Sequence, residues 1–157
     1  HIYGIPTTMF RFFTVYGPWG RPDMAYHLFT DSIINNKPIS LFNNGDLRRD
    51  FTYIDDIVAG ITALLNKVPG SHTGIRYKLY NIGNHKPVAL QEFVSVLENL
   101  IGKKAIINSK PMQPGDVYET YADVEELTKD VGFMPKTDIS TGLGHFVNWY
   151  KEYYKVN

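Results

Sequence analysis

Apolar residues recur along this chain with two periods, and the switches between them predict alternating strands and helices. Residues 7–13, TTMFRFF, are a short and nearly continuous apolar and aromatic run. Two glycines and two prolines follow within residues 17–22, so the run reads as a central strand ending in a structured turn. Asp23 stands where it can cap a helix over residues 24–36, which Pro38 stops. A short strand is expected over residues 39–42, then the turn Asn43-Asn44-Gly45-Asp46, whose residues tolerate positive φ. Residues 51–54 read as a second extended piece. Asp55-Asp56 then opens a helix with Ile57, Ile61, Leu64 and Leu65 on one face, ending near Lys67 before Pro69-Gly70.

Residues 71–74 are polar and loop-like, and residues 78–82, KLYNI, return to strand character. A strand, a crossover containing a packed helix and another strand make a right-handed unit with parallel strands, so residues 7–13 and 78–82 are expected to share one sheet. A helix over residues 90–101 carries Phe93, Val94, Leu97, Leu100 and Ile101 and closes on Gly102. Residues 105–108 read as a strand and residues 111–116 as a loop. Asp123 can cap a helix bearing Val124, Leu127 and Val131 that ends at Gly132, and a last helix over residues 140–154 carries Leu143, Phe146, Val147 and Tyr150. The class is α/β, without repeats or low-complexity tracts.

Composition narrows this picture. At 157 residues, with 43% hydrophobic and 14% aromatic content, the chain can form one compact domain and is too aromatic to be disordered. Its charges cancel, 16 against 16, so no broad field points to nucleic acid or to an anionic membrane. The absence of cysteine excludes disulfides and thiolate metal sites and fits a reducing compartment. No apolar run reaches membrane-spanning length, and residues 1–6 lack the pattern of a signal peptide, so a soluble, cytoplasmic protein is expected. A strand beginning almost at once, with no starting methionine, suggests a chain cut from something longer.

Ligands of open α/β sheets collect beyond the carboxyl ends of the strands, which puts Thr14, Tyr16, Trp19 and Arg21 at the candidate site. Arg21, between Pro18 and Pro22, suits bidentate recognition of a carboxylate or phosphate, or else is a surface arginine pairing with Asp23. In Arg48-Arg49-Asp50, either one arginine reaches a phosphate while Asp50 orients it, or the three form a solvated charge cluster. Asp55-Asp56 reads as helix-start chemistry rather than a catalytic carboxylate pair. The five histidines lack metal-ligand spacing. Gln113-Pro114-Gly115-Asp116 is a rigid polar turn in which Asp116 either accepts hydrogen bonds from a sugar hydroxyl or serves the turn itself.

The segments FRFFTVYGPWGRPDMA, RRDFTYIDDIVAGI, YNIG and QPGDV, in this order, resemble the carboxyl-terminal half of an extended short-chain dehydrogenase/reductase of the NAD-dependent nucleotide-sugar epimerase/dehydratase family. The resemblance covers essentially the whole chain. Within the family, FTVYGPWGRPDM is most similar to the UDP-glucuronate 4-epimerases, whereas galactose epimerases carry asparagine at the position of Thr14.

The resemblance implies the C-terminal part of an extended Rossmann-type fold, with 7–13 and 78–82 as the last parallel strands of its sheet. Residues 24–54 and 83–157 would form a small mixed α/β substrate lobe. It implies further that Phe13 lies near the nicotinamide of NAD, that Thr14 and Arg21 contact the reacting sugar, and that Met24 and the strand from Ser40 to Phe42 line the uracil of a UDP-sugar. Arg49 would bind the pyrophosphate and Asp116 the ribose. Gln113 stands where the family often has arginine and supplies a donor without charge; Thr120 replaces a common tyrosine.

None of the 13 glycines forms G-x-G-x-x-G, and no tyrosine has a lysine four residues on, so the dinucleotide loop and catalytic base are expected upstream of His1. The implied function is the UDP-sugar-binding portion of an enzyme that interconverts UDP-glucuronate and UDP-galacturonate by C4 oxidation and re-reduction, inactive as this chain alone. A full-length homodimer and a monomeric fragment are expected. A 4,6-dehydratase or decarboxylase of the same family, or a non-catalytic nucleotide-sugar binding module, are the alternatives.

Overall fold

The computed structural model describes residues 2–70 and 74–156, so Ser71, His72 and Thr73 of the expected 71–74 loop lie outside the described residues. Strand β1 (Thr7–Phe12) pairs in parallel with β6 (Tyr77–Ile82), from Thr7 opposite Tyr77 to Phe12 opposite Ile82. At Phe13 the chain changes partner. The Phe13 N–H donates to the Ile82 carbonyl at 3.1 Å, while the next N–H, that of Thr14, donates to the Asp50 carbonyl at 3.1 Å. Strand β2 (Thr14–Tyr16) then runs parallel to β5 (Phe51–Tyr53). The single strand expected over residues 7–13 is therefore one continuous run shared between two sheets, because β6 stops at Ile82 and β5 takes up the exposed edge.

Two smaller pairs complete the strands. Strand β3 (Pro38–Phe42) lies parallel to β8 (Ile106–Lys110), and β4 (Arg48–Arg49) is antiparallel to β7 (Val88–Ala89). Between β3 and β4 the 3-10 turn Asn43–Gly45 holds all three residues at positive φ, as the Asn-Asn-Gly sequence allows.

The helices follow the apolar stripes closely. Helix α3 (Leu90–Ile101) buries Phe93, Val94 and Leu97 and closes on Gly102 at φ 78°. Helix α5 (Ile139–Tyr154) buries Leu143, Phe146, Val147 and Tyr150, and Asp138 caps it by accepting the Thr141 N–H. With α1 (Ala25–Ile34) and the strands β3 and β5, these helices enclose the larger core, centred on Phe93, Leu97, Ile33 and Phe146. A second core, around Ile82, Ile57, Leu127 and Phe133, lies where α2 (Ile54–Ala63) and α4 (Glu125–Val131) cover β6.

Several expectations are corrected. Met24, not Asp23, occupies the N-cap of α1, because the Asp23 carboxylate is engaged by Arg21. Helix α2 begins at Ile54 and ends at Ala63, so Leu65 falls past the helical stripe and is 71% exposed. Asp55 and Asp56 do stand in the first turn of that helix, as the helix-start reading has it, but the Asp56 carboxylate is buried and also receives the N–H groups of Lys136 and Thr137 from the segment before α5. Asp123 lies one residue ahead of the α4 N-cap yet still accepts the Glu125 N–H. Among the described residues no helix is long and apolar enough to cross a membrane.

Candidate functional site

A cavity of about 560 Å³ opens between the start of β2, the first turn of α1, the face of β3 and the loop before α4. Strand alternation builds one wall: β3 buries Ile39 and Leu41 in the core and leaves Ser40 and Phe42 half-buried at the cavity. Thr14 opens β2, Met24 caps α1, and Arg49 and Asp116 reach in from β4 and from the 111–116 loop. Thr14, Met24, Ser40, Phe42, Arg49 and Asp116 thus come together from positions spread over a hundred residues of sequence.

Arg49 is the pre-aimed cation of this cavity. Its Nη2 donates to Asp116 Oδ1 at 2.7 Å, and its Nη1 donates to the carbonyls of Arg48 at 2.8 Å and Tyr118 at 3.2 Å. The side chains of Arg49 and Asp116 are only 19% and 28% exposed, so the pair is partly withdrawn from water. Asp116 Oδ1 also accepts the Val117 N–H, which fixes the carboxylate against its own loop. A guanidinium held at three points presents a fixed face to an anion with little conformational entropy left to lose. The rest of the lining, including Phe29, Phe42, Leu47 and Leu90, is apolar and suits a flat ring.

Asp50 does not orient Arg49, as one reading of the Arg-Arg-Asp sequence has it. Its side chain is fully buried, with Oδ1 accepting the Asn84 N–H at 2.7 Å and Oδ2 accepting those of His85 at 3.1 Å and Ala122 at 2.9 Å. It ties the turn after β6 to the segment before α4. The Asp50 N–H in turn donates to the Thr120 hydroxyl. Tyr118, which sequence reasoning missed, sets Arg49 through its carbonyl and donates its own hydroxyl to Asp46 at 2.7 Å. No spacing in the sequence marks it.

The loop after β2 is arranged differently from its expected role. Tyr16 is 1% exposed, sits in the larger core and donates to the Asp138 carbonyl; burial pushes its hydroxyl above the ordinary tyrosine range. Trp19 is exposed at φ 63° and leans on Trp149 and Tyr153, with ring centroids 5.3 Å away in each case. Gly20 is required at its place, since a Cβ there would run into the Tyr26 hydroxyl. Arg21 does not line the cavity. It grips Asp23, which does, with Nε donating to Oδ1 at 3.0 Å and Nη2 to Oδ2 at 2.6 Å, both side chains being mostly exposed. The Arg21 hydrogen bonds hold the Asp23 carboxyl below its ordinary range. Gln113 is exposed and outside the cavity wall, and Phe13 is half-buried at the partner switch, packed on the second core.

A dinucleotide cofactor would need a glycine-rich turn between a strand and a helix. The glycines of this chain do not supply that spacing, so its own residues do not make a dinucleotide cradle. Among the described residues no three histidine, aspartate or glutamate side chains gather as metal ligands.

Residues 1–83 match the model of the NAD dependent epimerase/dehydratase family. Protein CapI of Staphylococcus aureus is 51% identical over 99% of this chain and 50% of its own length. A probable UDP-glucuronate 4-epimerase of Rhizobium meliloti (strain 1021) is 42% identical over 99% of this chain and 49% of its own. The solved structure of UDP-glucuronic acid 4-epimerase from Bacillus cereus in complex with UDP-glucuronic acid and NAD superposes with a TM-score of 0.86 at 35% identity, over 96% of this chain and 46% of that one. The chain spans about half the length of the curated relatives it matches.

Proposed function

The chain belongs to the NAD dependent epimerase/dehydratase family, and we propose that it forms the UDP-sugar-binding part of a nucleotide-sugar 4-epimerase acting on UDP-glucuronate and UDP-galacturonate. The observation that carries this reading is the cavity itself, in which one fixed guanidinium, Arg49, faces an otherwise largely apolar slot closed by the β3 strand. A nucleoside diphosphate has the matching shape, a flat base for the slot and an anion for the arginine.

Uracil lies against Met24 and the 40–42 strand, the ribose hydroxyls reach Asp116, and the pyrophosphate meets Arg49. Gln113, from its exposed loop, adds an uncharged donor. The sugar then projects toward Thr14, which the partner switch at Phe13 sets at the cavity as the first residue of β2. Arg21 reads the sugar carboxylate from the loop beside it.

NAD, the cofactor named in the Bacillus cereus complex, would accept hydride from C4 and return it there, and from this chain Phe13 would lie toward the nicotinamide. Residues 7–13 and 78–82 are the final strands of the Rossmann-type sheet, and 24–54 with 83–157 are the substrate lobe. The setting is cytoplasmic, the full-length enzyme a homodimer and this chain a monomer.

Calorimetric titration of the chain with UDP and with uridine tests the reading. UDP should bind at least tenfold more tightly than uridine. Arg49→Ala should remove about 2–5 kcal/mol from UDP binding, the usual cost of truncating one partner of a partly buried charged contact, and leave uridine binding little changed. Equal affinities for UDP and uridine would remove the diphosphate assignment. Mixed with NAD and UDP-glucuronate, the chain alone should form no UDP-galacturonate.

A further inference from the structure

Arg21 holds an internal carboxylate. Both oxygens of Asp23 are engaged side-on by Nε and Nη2, the two-bond fork with which arginine receives a carboxylate ligand. Asp23 also lines the cavity, whereas Arg21 reaches it only through Asp23. We propose that Asp23 is a built-in surrogate for the acidic group of the sugar, and that binding of an acidic nucleotide sugar proceeds by carboxylate exchange on the Arg21 fork. Asp23 thereby sets how strongly the site prefers acidic over neutral sugars. This inference rests on the proposed role of Arg21 in reading the sugar carboxylate.

The surroundings allow the exchange to occur without loop movement. The backbone carrying Arg21 is pinned on three sides: Trp19 packs on Trp149 and Tyr153, the Gly20 N–H donates to the Gly17 carbonyl with Gly20 closed over the Tyr26 hydroxyl, and the Met24 N–H donates to the Arg21 carbonyl. The Arg21 and Asp23 side chains, by contrast, are 73% and 64% exposed, and each makes its side-chain hydrogen bonds with the other. An exposed ion pair of this kind is held weakly, because water solvates both partners when they part. A sugar carboxylate can take the Arg21 fork only where Asp23 gives it up, so the two carboxylates compete for one guanidinium. A neutral sugar has nothing to exchange and leaves the pair closed.

The test uses the affinities of the chain for UDP, UDP-glucose and UDP-glucuronate, each sugar being referred to UDP for the same variant so that nucleotide contacts cancel. Asp23→Asn removes the competing charge with little change of shape. It should raise the preference for UDP-glucuronate over UDP-glucose at least threefold, and Arg21→Ala should bring that preference close to one. The double variant should match Arg21→Ala, because without the fork Asp23 has nothing to occupy. Fluorescence of Trp19 and Trp149, the chain's two tryptophans, should respond alike to UDP-glucose and UDP-glucuronate, as a pinned loop requires. If Asp23→Asn leaves the preference unchanged or lowers it while Arg21→Ala abolishes it, the exchange is overturned and the role of Arg21 stands. If Arg21→Ala leaves the preference intact, both fall.

Discussion

The lobe built from α1, α3, α5 and the β3/β8 pair and the strand pair β1/β6 are made of similarly apolar residues, yet they treat them in opposite ways. In the lobe Phe93, Leu97, Phe146 and Leu143 are fully buried, each helix burying one stripe against its neighbours. In β1/β6 one face packs on α2 and α4 through Ile82, Tyr80 and Phe10, while Met9 and Tyr77 on the other face are about half exposed. Parallel strands ordinarily have both faces covered. The difference separates a region that completes its own core from one whose outer face is still open to a partner surface, in line with a sheet that continues in the family fold.

The widest separation between the regions should come from Phe93→Ala. Emptying that position, at the centre of the larger core, should cost about 3–5 kcal/mol, read as a shift of the urea midpoint. If the loss were no greater than for an exposed strand residue, the lobe would not be the self-sufficient unit described here. Asp50→Ala should follow, at about 2–4 kcal/mol, because it leaves the buried Ala122 N–H unpaired and takes the acceptor from those of Asn84 and His85. Its effect should be on the joint between the regions, with hydrogen exchange accelerating at Asn84, His85 and Ala122 before it does so in α3. Asp50→Asn keeps one acceptor oxygen and should lose less. Protection unchanged at those three amides would show that the joint is held by packing alone.

Acid should loosen the lobe before the strand pair. His27 is buried among the rings of Phe146, Tyr150 and Tyr154, and desolvation by that burial pushes its pKa below 6.5. A depressed folded-state value makes the unfolded chain bind the proton first, so stability is complete above about pH 6.5 and declines as pH falls below it. The nearby Asp31 carboxylate opposes the shift, which keeps the effect modest. Thermal melting between pH 7.5 and 5.5 should show this slope, and His27→Phe should flatten it; a slope unchanged in the variant would assign the loss elsewhere. The smallest effect should be that of Met9→Ser on the open face of β1, within about 0.5 kcal/mol. A larger loss would mean that this face is already covered in solution, for instance by a second copy of the chain.

What the sequence determined by itself is what depends on neighbours a few residues apart. The i, i+3, i+4 stripe and Gly102 mark α3 to the residue, because helical period and left-handed glycine closure are local properties. The Asn43-Asn44-Gly45 turn is legible for the same reason. Of the eight substrate-binding residues that the motif resemblance implied, Thr14, Met24, Ser40, Phe42, Arg49 and Asp116 line one cavity, while Arg21 and Gln113 stand outside its wall.

Where two distant segments compete for the same hydrogen-bonding group, only the tertiary structure decided the outcome. The partner switch at Phe13 depends on β5 meeting the edge that β6 leaves. Asp50 could serve Arg49 or three remote amides, and its fully buried carboxylate, which has no water to turn to, takes the amides. The parallel pairing of β3 with β8 joins strands more than sixty residues apart, from Pro38 opposite Ile106 to Phe42 opposite Lys110. Such choices rest on which surfaces meet once the chain has collapsed, and no local pattern encodes them.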